Sequence, residues 1–425
     1  MENKELVKFL GFGRSNLKVS KMVTEEYKGK KVKMIYLKQV NSKCRCPMCD
    51  KFTSSVHSKL KRAYIRELDF LGYGCVLTIV KRRFHCYKCN KIFTEEIDLL
   101  PNKNEISNRV KRQIHKDLLN TLTFDYIAKK NHVSITYVIN ELKEMMKDYK
   151  KNIYQLPEII SFDEFKADTD KGKYAFIIND PINKKTVDIL PNRRKDYLIN
   201  YFTTVNNKKY IKYIISDMYE PYLIVTKVMF PKAKYVVDRF HYVEYIMDAV
   251  DNIRIRVQKE YGYNTKEYRL LKNKKNVSLL RKYSENIDWF KKVVRYKNKT
   301  KIYRYPSEIL DEMYKINEDI KTGYDLKELF LQIINNSTYE SARVDLEGWI
   351  DLCRESQIEE FIEASKTIEN WLEYIVNSFI DKRFTNGYTE GLNNKIKVIK
   401  RIGFGYKKFE IFRARLMYIF DGKLK

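Results

Sequence analysis

Hydrophobic and polar positions along this chain fall into successive textures, each with its own period. Residues 1–43 are polar with short strand-like runs, the clearest at 32–37. Between 105 and 149 the pattern turns helical: Ile106, Val110, Ile114 and Leu118 recur four apart, and Ile127, Val133, Val138 and Leu142 follow after a break. From 158 onward, short β-rich runs appear at 159–162, 174–178, 186–190, 211–216 and 235–237. The intervening stretches 194–204 and 220–230 have the length of helices. Residues 242–380 read as long charged helices with few breakers and carry Trp289, Trp349 and Trp371. A last amphipathic helix follows Gly387. Leu392, Ile396 and Ile399 fall on its apolar face, whereas Glu390, Asn394, Lys397 and Arg401 recur on the opposite one.

Strand, strand, strand, helix, strand, helix, strand is the order of a ribonuclease-H-like α/β domain. The expected architecture is therefore multidomain α/β, with a ribonuclease-H-like core at 151–245 and 375–425 interrupted by an all-helical insertion at 246–374. A small zinc-binding domain at 1–100 and a helix-turn-helix domain at 101–150 precede it.

Charge narrows the partner. The chain carries 83 Lys+Arg against 55 Asp+Glu, a formal charge of +28, which suits a protein that neutralises phosphates. Composition alone does not separate DNA from RNA or anionic lipid. No apolar run reaches the roughly 18 residues that span a bilayer, and MENKELVKFL lacks the apolar core of a signal peptide. The expectation is a cytoplasmic protein without a membrane partner.

The cysteines add a metal. Cys46-Pro47-Met48-Cys49 and Cys86-Tyr87-Lys88-Cys89 are two knuckles whose four thiolates can close a tetrahedral structural zinc site. Cys44 and His85 adjoin the knuckles and could replace a ligand, whereas Cys75 and Cys353 read as small hydrophobes. Downstream, a short helix with Ile127 and Ala128 leads through a turn to Ser134, a natural N-cap for a second helix. This leaves Thr136, Tyr137, Asn140 and Lys143 as candidates to face a major groove. His115 and His132 lack partners at ligand spacing.

Four acids are candidates for catalysis: Asp163, Asp217 and Asp238, read at strand ends, and Glu390 at the head of the last helix. The cysteine block, the stretch Ser161-Phe162-Asp163-Glu164-Phe165, the stretch Val237-Asp238-Arg239-Phe240-His241, and the run from Asn386 through Glu390 to Lys395 resemble the ISL-three family of bacterial insertion-sequence DDE transposases over about residues 40–420. The resemblance implies a core that binds terminal inverted repeats, cleaves DNA at the element ends and joins the 3′-hydroxyls to target DNA with two Mg2+ (or Mn2+) ions. It carries over Asp163 as the first acid and Glu390 as the third.

For the second acid, Asp238 is the more conspicuous match, but the fourth strand of this topology lies beside the first and ends in Asp217. A similar aspartate-x-x-histidine motif in Mutator-like transposases accompanies the triad without replacing its second acid. Asp217 is therefore the expected ligand, with Asp238 as the alternative and His241 nearby. Lys397 and Arg401, with Lys395 and Lys400, are expected at DNA phosphates. The implied setting is double-stranded DNA, a homodimer or larger synaptic assembly, and a bacterial cytoplasm in association with the nucleoid. A non-catalytic DNA-binding regulator derived from such an enzyme, or a nuclease without strand transfer, are the rival readings.

Overall fold

The computed structural model describes residue 10 and residues 17–97, 105–147, 156–297 and 300–421. Residues 1–9, which hold most of the stretch read for a signal peptide, lie outside these. The chain forms two compact units, residues 1–150 with 398–425, and residues 151–397. The segment 375–425, grouped with the core from sequence, is thus divided after Lys397.

The first unit begins with strands β1 (Leu17–Tyr27) and β2 (Lys30–Gln39), joined at Lys28 and Gly29, both at positive φ. That pair of left-handed residues gives a tight hairpin the twist its strands need. Next come β3 (Cys44–Arg45), β4 (Phe52–Thr53), β5 (Val56–Lys59), β6 (Ala63–Phe70), β7 (Tyr73–Ile79), β8 (Arg82–Cys86) and β9 (Lys91–Thr94). They make a four-stranded sheet in the order β1-β2-β7-β6, a three-stranded sheet β5-β8-β9 and the β3-β4 hairpin. Ile35, Leu37, Ile65, Leu77 and the buried Cys75 fill the core of the larger sheet, so Cys75 behaves as the small hydrophobe expected.

Three helices follow, α1 (Asn108–Leu119), α2 (Phe124–Lys130) and α3 (Ile135–Lys147). The hydroxyls of Ser107 and Thr123 accept the amides of Val110 and Tyr126 and so start the first two. The predicted stripe Val110, Ile114, Leu118, Ile127, Val138 and Leu142 is buried, but it is completed from the far end of the chain by Ala414 and Tyr418. These belong to the C-terminal helix Phe409–Asp421. Arg415 on that helix is 1% exposed and donates to the carbonyls of Asn120 and Leu122, and the Tyr418 hydroxyl donates to the carbonyl of His115.

The second unit is built on β10 (Ile159–Thr169), β11 (Gly172–Asp180), β12 (Lys185–Leu190), β13 (Tyr213–Ser216) and β14 (Lys234–Val237). Their order is β12-β11-β10-β13-β14; the first three are antiparallel and the last two lie parallel beside β10. Helices α4 (Lys195–Thr203) and α5 (Glu220–Met229) supply the connections to β13 and β14. From these helices Phe202 stacks on Phe162 of β10 and Tyr222 meets it edge-on. Because side chains alternate along a strand, the odd-numbered neighbours of Phe162 are turned to the other face of the sheet.

The long α6 (Arg239–Lys259) leads into α7 (Lys266–Lys272), α8 (Lys274–Arg281), the strands β15 (Val293–Lys297) and β16 (Thr300–Arg304), and then α9 (Pro306–Tyr314), α10 (Glu318–Asn336), α11 (Ala342–Glu355), α12 (Glu359–Asn370) and α13 (Leu372–Val376). The insertion is therefore not all-helical. Val293, Val294, Tyr296 and Ile302, Tyr303 have the β-branched and aromatic character of strands, and β15 and β16 pair as an antiparallel hairpin. Two helices of this region touch closely at Gly323 of α10, where a Cβ would lie 2.5 Å from Ile253 Cδ1 of α6. Trp349 is buried against Phe330 with ring centroids 4.7 Å apart and donates from Nε1 to the carbonyl of Leu326. Cys353 is buried, as expected. Helix α14 (Gly387–Ile402) closes the series.

Candidate active site and zinc centre

Helix α14 is tied to the sheet by side chains that recur along one of its flanks. Thr389 Oγ1 meets Ser161 Oγ at 3.2 Å and accepts from Asn179 Nδ2 at 2.9 Å. Asn393 Nδ2 donates to Asp163 Oδ2 at 2.9 Å. Just before the helix, the backbone N–H of Asn386 donates to Asp238 Oδ1 at 3.0 Å. Positions 386, 390 and 393 lie at helical repeats of one another, so Glu390 sits between the two asparagines that hold two aspartates. The apolar face is as predicted, with Leu392, Ile396 and Ile399 buried. Asn394 is exposed; the asparagine that reaches an acid is its neighbour Asn393, which sequence reading passed over.

Asp163 does not end its strand. It stands within β10 opposite Ile177, because pairing with β11 continues to Thr169. Asp217 does follow β13, and Asp238 follows β14 as the N-cap residue of α6. Burial, and next the charge of Asp217, push the Asp163 carboxyl up to about 7. Asp238 is 3% exposed, and burial raises it as well. His241 Nε2 lies 2.6 Å from Asp217 Oδ1 and 3.9 Å from Asp238 Oδ2. Burial alone would lower this imidazole, but contact with Asp217 and the charges of Asp217, Asp238 and Asp163 outweigh it and raise it to about 8. The arrangement is a pair of neighbouring carboxylates with a cation leaning on one of them. On the opposite face of β10, Glu164 accepts from Arg193 and from the Tyr222 hydroxyl, which anchors the strand to α5 and to the segment before α4.

Among the described residues, one group of three or more ligating side chains brings its donor atoms within 4.8 Å of one another: Cys46, Cys49, Cys86 and Cys89. Cys46 Sγ lies 3.5 Å from Cys89 Sγ, and Cys49 Sγ lies 3.5 Å from Cys86 Sγ. Sulfurs bound at about 2.3 Å to a tetrahedral zinc are separated by a similar distance, so the four fit that ion. The backbone amides of Cys89 and Lys88 help lower the Cys86 thiol to about 6, whereas burial and the three neighbouring sulfurs raise Cys89 to about 12. A cluster that favours one thiolate and resists another is relieved by a dication. Neither alternative ligand belongs to the cluster, and His85 Nε2 is instead 2.8 Å from Asn90 Oδ1.

A family model described as "Transposase", the ISL3 type, matches residues 160–416. The chain belongs to the ISL3 transposase family. A second model, the zinc-finger of transposase IS204/IS1001/IS1096/IS1165, matches residues 42–89 and encloses the four-cysteine cluster, which is thus a structural zinc site. The transposase for insertion sequence element IS1001 from Bordetella parapertussis is 24% identical over 396 residues, covering 92% of each chain. A protein named ATP-dependent protease from Lactococcus lactis subsp. lactis is 29% identical over 130 residues, 31% of this chain and 38% of that protein. That stretch is too short to bear on the activity of this transposase as a whole.

Among the described residues, no helix is long and apolar enough to cross a membrane. In the helical part of the first unit, Ser134 Oγ accepts the amide of Tyr137 and starts α3 as anticipated. Thr136, Asn140 and Lys143 are exposed, while Tyr137 is half-buried and its hydroxyl is shifted upward by burial and by Glu141. His115 pairs with Glu141 at 3.1 Å and His132 with Asp69 at 3.0 Å. Lys397 and Arg401 are exposed on α14.

Proposed function

We propose that this transposase binds the terminal inverted repeats of its element, cleaves DNA at the element ends and joins the 3′-hydroxyls to target DNA, with Asp163, Asp217 and Glu390 as the metal-binding acids. The strand order β12-β11-β10-β13-β14 supports a ribonuclease-H-like core. The observation that carries the reading is the adjacency of Asp163 and Asp217 under a helix that brings Glu390 between Asn386 and Asn393. Two neighbouring carboxylates, one of them raised first by burial and then by the charge of the other, form a donor pair whose repulsion a divalent cation relieves.

Two Mg2+ ions, when bound, would activate a water or 3′-hydroxyl and offset charge on the leaving oxygen. The chain's own residues prepare the site. Asn393 and the Glu164 amide each donate to one oxygen of Asp163 and so fix the plane of its carboxylate, whose remaining lone pairs are available to a metal, and His241 orients Asp217. Asp238 is favoured less as a ligand, because it is 3% exposed whereas Asp163 and Asp217 are half-buried. We read α2 and α3 as a helix-turn-helix that offers Thr136, Asn140 and Lys143 to a major groove, with Tyr137 at its base. Lys397 and Arg401 are placed at phosphates, and the synaptic complex is taken as a dimer or larger, acting in the bacterial cytoplasm on nucleoid DNA.

Incubating the protein with native element ends and a target plasmid in Mg2+ tests this. Strand-transfer products are expected. Asp163→Asn, Asp217→Asn and Glu390→Gln should each bind the ends and lose both cleavage and joining. Cleavage without joining would favour a nuclease, and three active variants would remove the enzymatic reading.

A further inference from the structure

Beside the acids, the second unit holds a cavity of about 470 Å3 that both Asp238 and Glu390 line. Leu331 and Ile334 of α10, 6% and 3% exposed, contribute an apolar wall. Asn286 and Asn335 stand exposed around it and bring amide donors and acceptors. Phe240, the second residue after Asp238, is another lining residue and is 51% exposed, with its ring edge-on to His241 at 5.6 Å between centroids. A volume of this size falls in the range of about 300–1,000 Å3 that takes a small molecule and cannot admit a duplex.

The occupant must satisfy three demands together. It needs a flat apolar body for Phe240 and the leucine–isoleucine wall, a hydrogen-bonding edge for the amides, and a link to the phosphodiester at the acids. A polypeptide segment could meet the first two but brings no phosphate to the metal-binding acids, of which Glu390 lines the cavity. A nucleobase swung out of the helix meets all three, since enzymes that extrude a nucleotide hold it between aromatic or apolar side chains and read its edge with polar ones.

We propose that this cavity receives one base extruded from the element end next to the scissile phosphodiester, stacked on Phe240 and met at its edge by Asn286 or Asn335. The proposal rests on the strand-cleavage reading above. Extrusion places the phosphate at the end of a bent, unpaired backbone, where the acids can reach both sides of it.

Cleavage rates on two substrates test it: fully paired ends, and ends carrying a mismatch at the base beside the cut. Phe240→Ala should cut paired ends roughly 5- to 150-fold more slowly, the range for loss of one base–aromatic stack. The mismatch, which lowers the cost of unpairing, should recover most of that loss, and Phe240→Trp should cut both ends at near the wild-type rate. Asn335→Ala should show a smaller defect with the same recovery. Unchanged melting temperatures of these variants would be expected, because the substituted side chains are exposed. Equal losses on paired and mismatched ends, or no loss in Phe240→Ala, would overturn the pocket while leaving the transposition reading intact. Wild-type protein that cuts neither substrate would overturn both.

Discussion

Asn393 Nδ2 donates to Asp163 Oδ2 across 2.9 Å, joining the helix of Glu390 to the central strand of the sheet. With the Glu164 amide on Oδ1, the bond fixes the orientation of the Asp163 carboxylate. Asn393→Ala should therefore keep the fold and end binding but reduce cleavage roughly 10–100-fold, the scale of losing a residue that orients a ligand. Asn393→Asp should be worse, since it sets another carboxylate against Asp163 in a site that already gathers several acids. Single-turnover cleavage with both variants checks the order.

The two candidate second acids predict opposite signatures. Asp163 is raised first by burial and then by Asp217, so Asp217→Asn relieves one repulsion while weakening the pair with His241, and the metal-free protein should melt close to wild type while cleavage is lost. Asp238→Ala leaves the buried Asn386 amide without its acceptor and should lower stability by about 1–3 kcal/mol. Thermal melts beside cleavage assays separate the roles. A stable, inactive Asp238→Asn with an active Asp217→Asn would reverse the assignment.

Cys86→Ser should abolish zinc binding and unfold the region around residues 44–94, leaving the second unit folded. Metal analysis of purified protein should find one zinc per chain in wild type and none in the variant, because three sulfurs do not close the site. Zinc content unchanged by the substitution would contradict the ligand set.

The three-helix core should depend on the C-terminal helix. Arg415→Ala removes a buried guanidinium and strands the carbonyls of Asn120 and Leu122, at a cost of about 3 kcal/mol. A fragment covering 105–147 should be unfolded by circular dichroism and regain helicity when residues 406–421 are fused to it.

A pH dependence should trace to Lys327, which is fully buried on α10, donates to the carbonyls of Leu280 and Lys282 and pairs with Glu328. Burial lowers its ammonium to about 8, against an ordinary 10.5. Between those values the unfolded chain binds the proton that the folded chain has released, so stability from this group rises with pH. Wild-type protein should thus gain melting temperature relative to Lys327→Met as pH goes from 8 toward 10; a constant difference would count against it.

Much of this was legible in the sequence because it rests on local periodicity. The five strands of the second unit were expected from β-rich runs, α4 and α5 from the lengths between them, and the cysteine cluster from two short spacings. What escaped depends on partners remote in sequence. Nothing near Asp163 says that β10 runs on to Thr169, since β11 extends it. The β15–β16 hairpin was hidden by the helical stretches around it. Asn386 and Asn393 are ordinary polar residues until the sheet beneath supplies Asp238 and Asp163.

The placement of the C-terminal helix also sets an order of events during synthesis. The residues that close the core of α1, α2 and α3 leave the ribosome only after Glu390 and the rest of the second unit have been made. A nascent or truncated chain would carry the predicted groove-facing residues on helices that cannot yet hold together. On the proposed reading, grip on the element ends would then belong only to molecules that already possess every acid proposed to cut them.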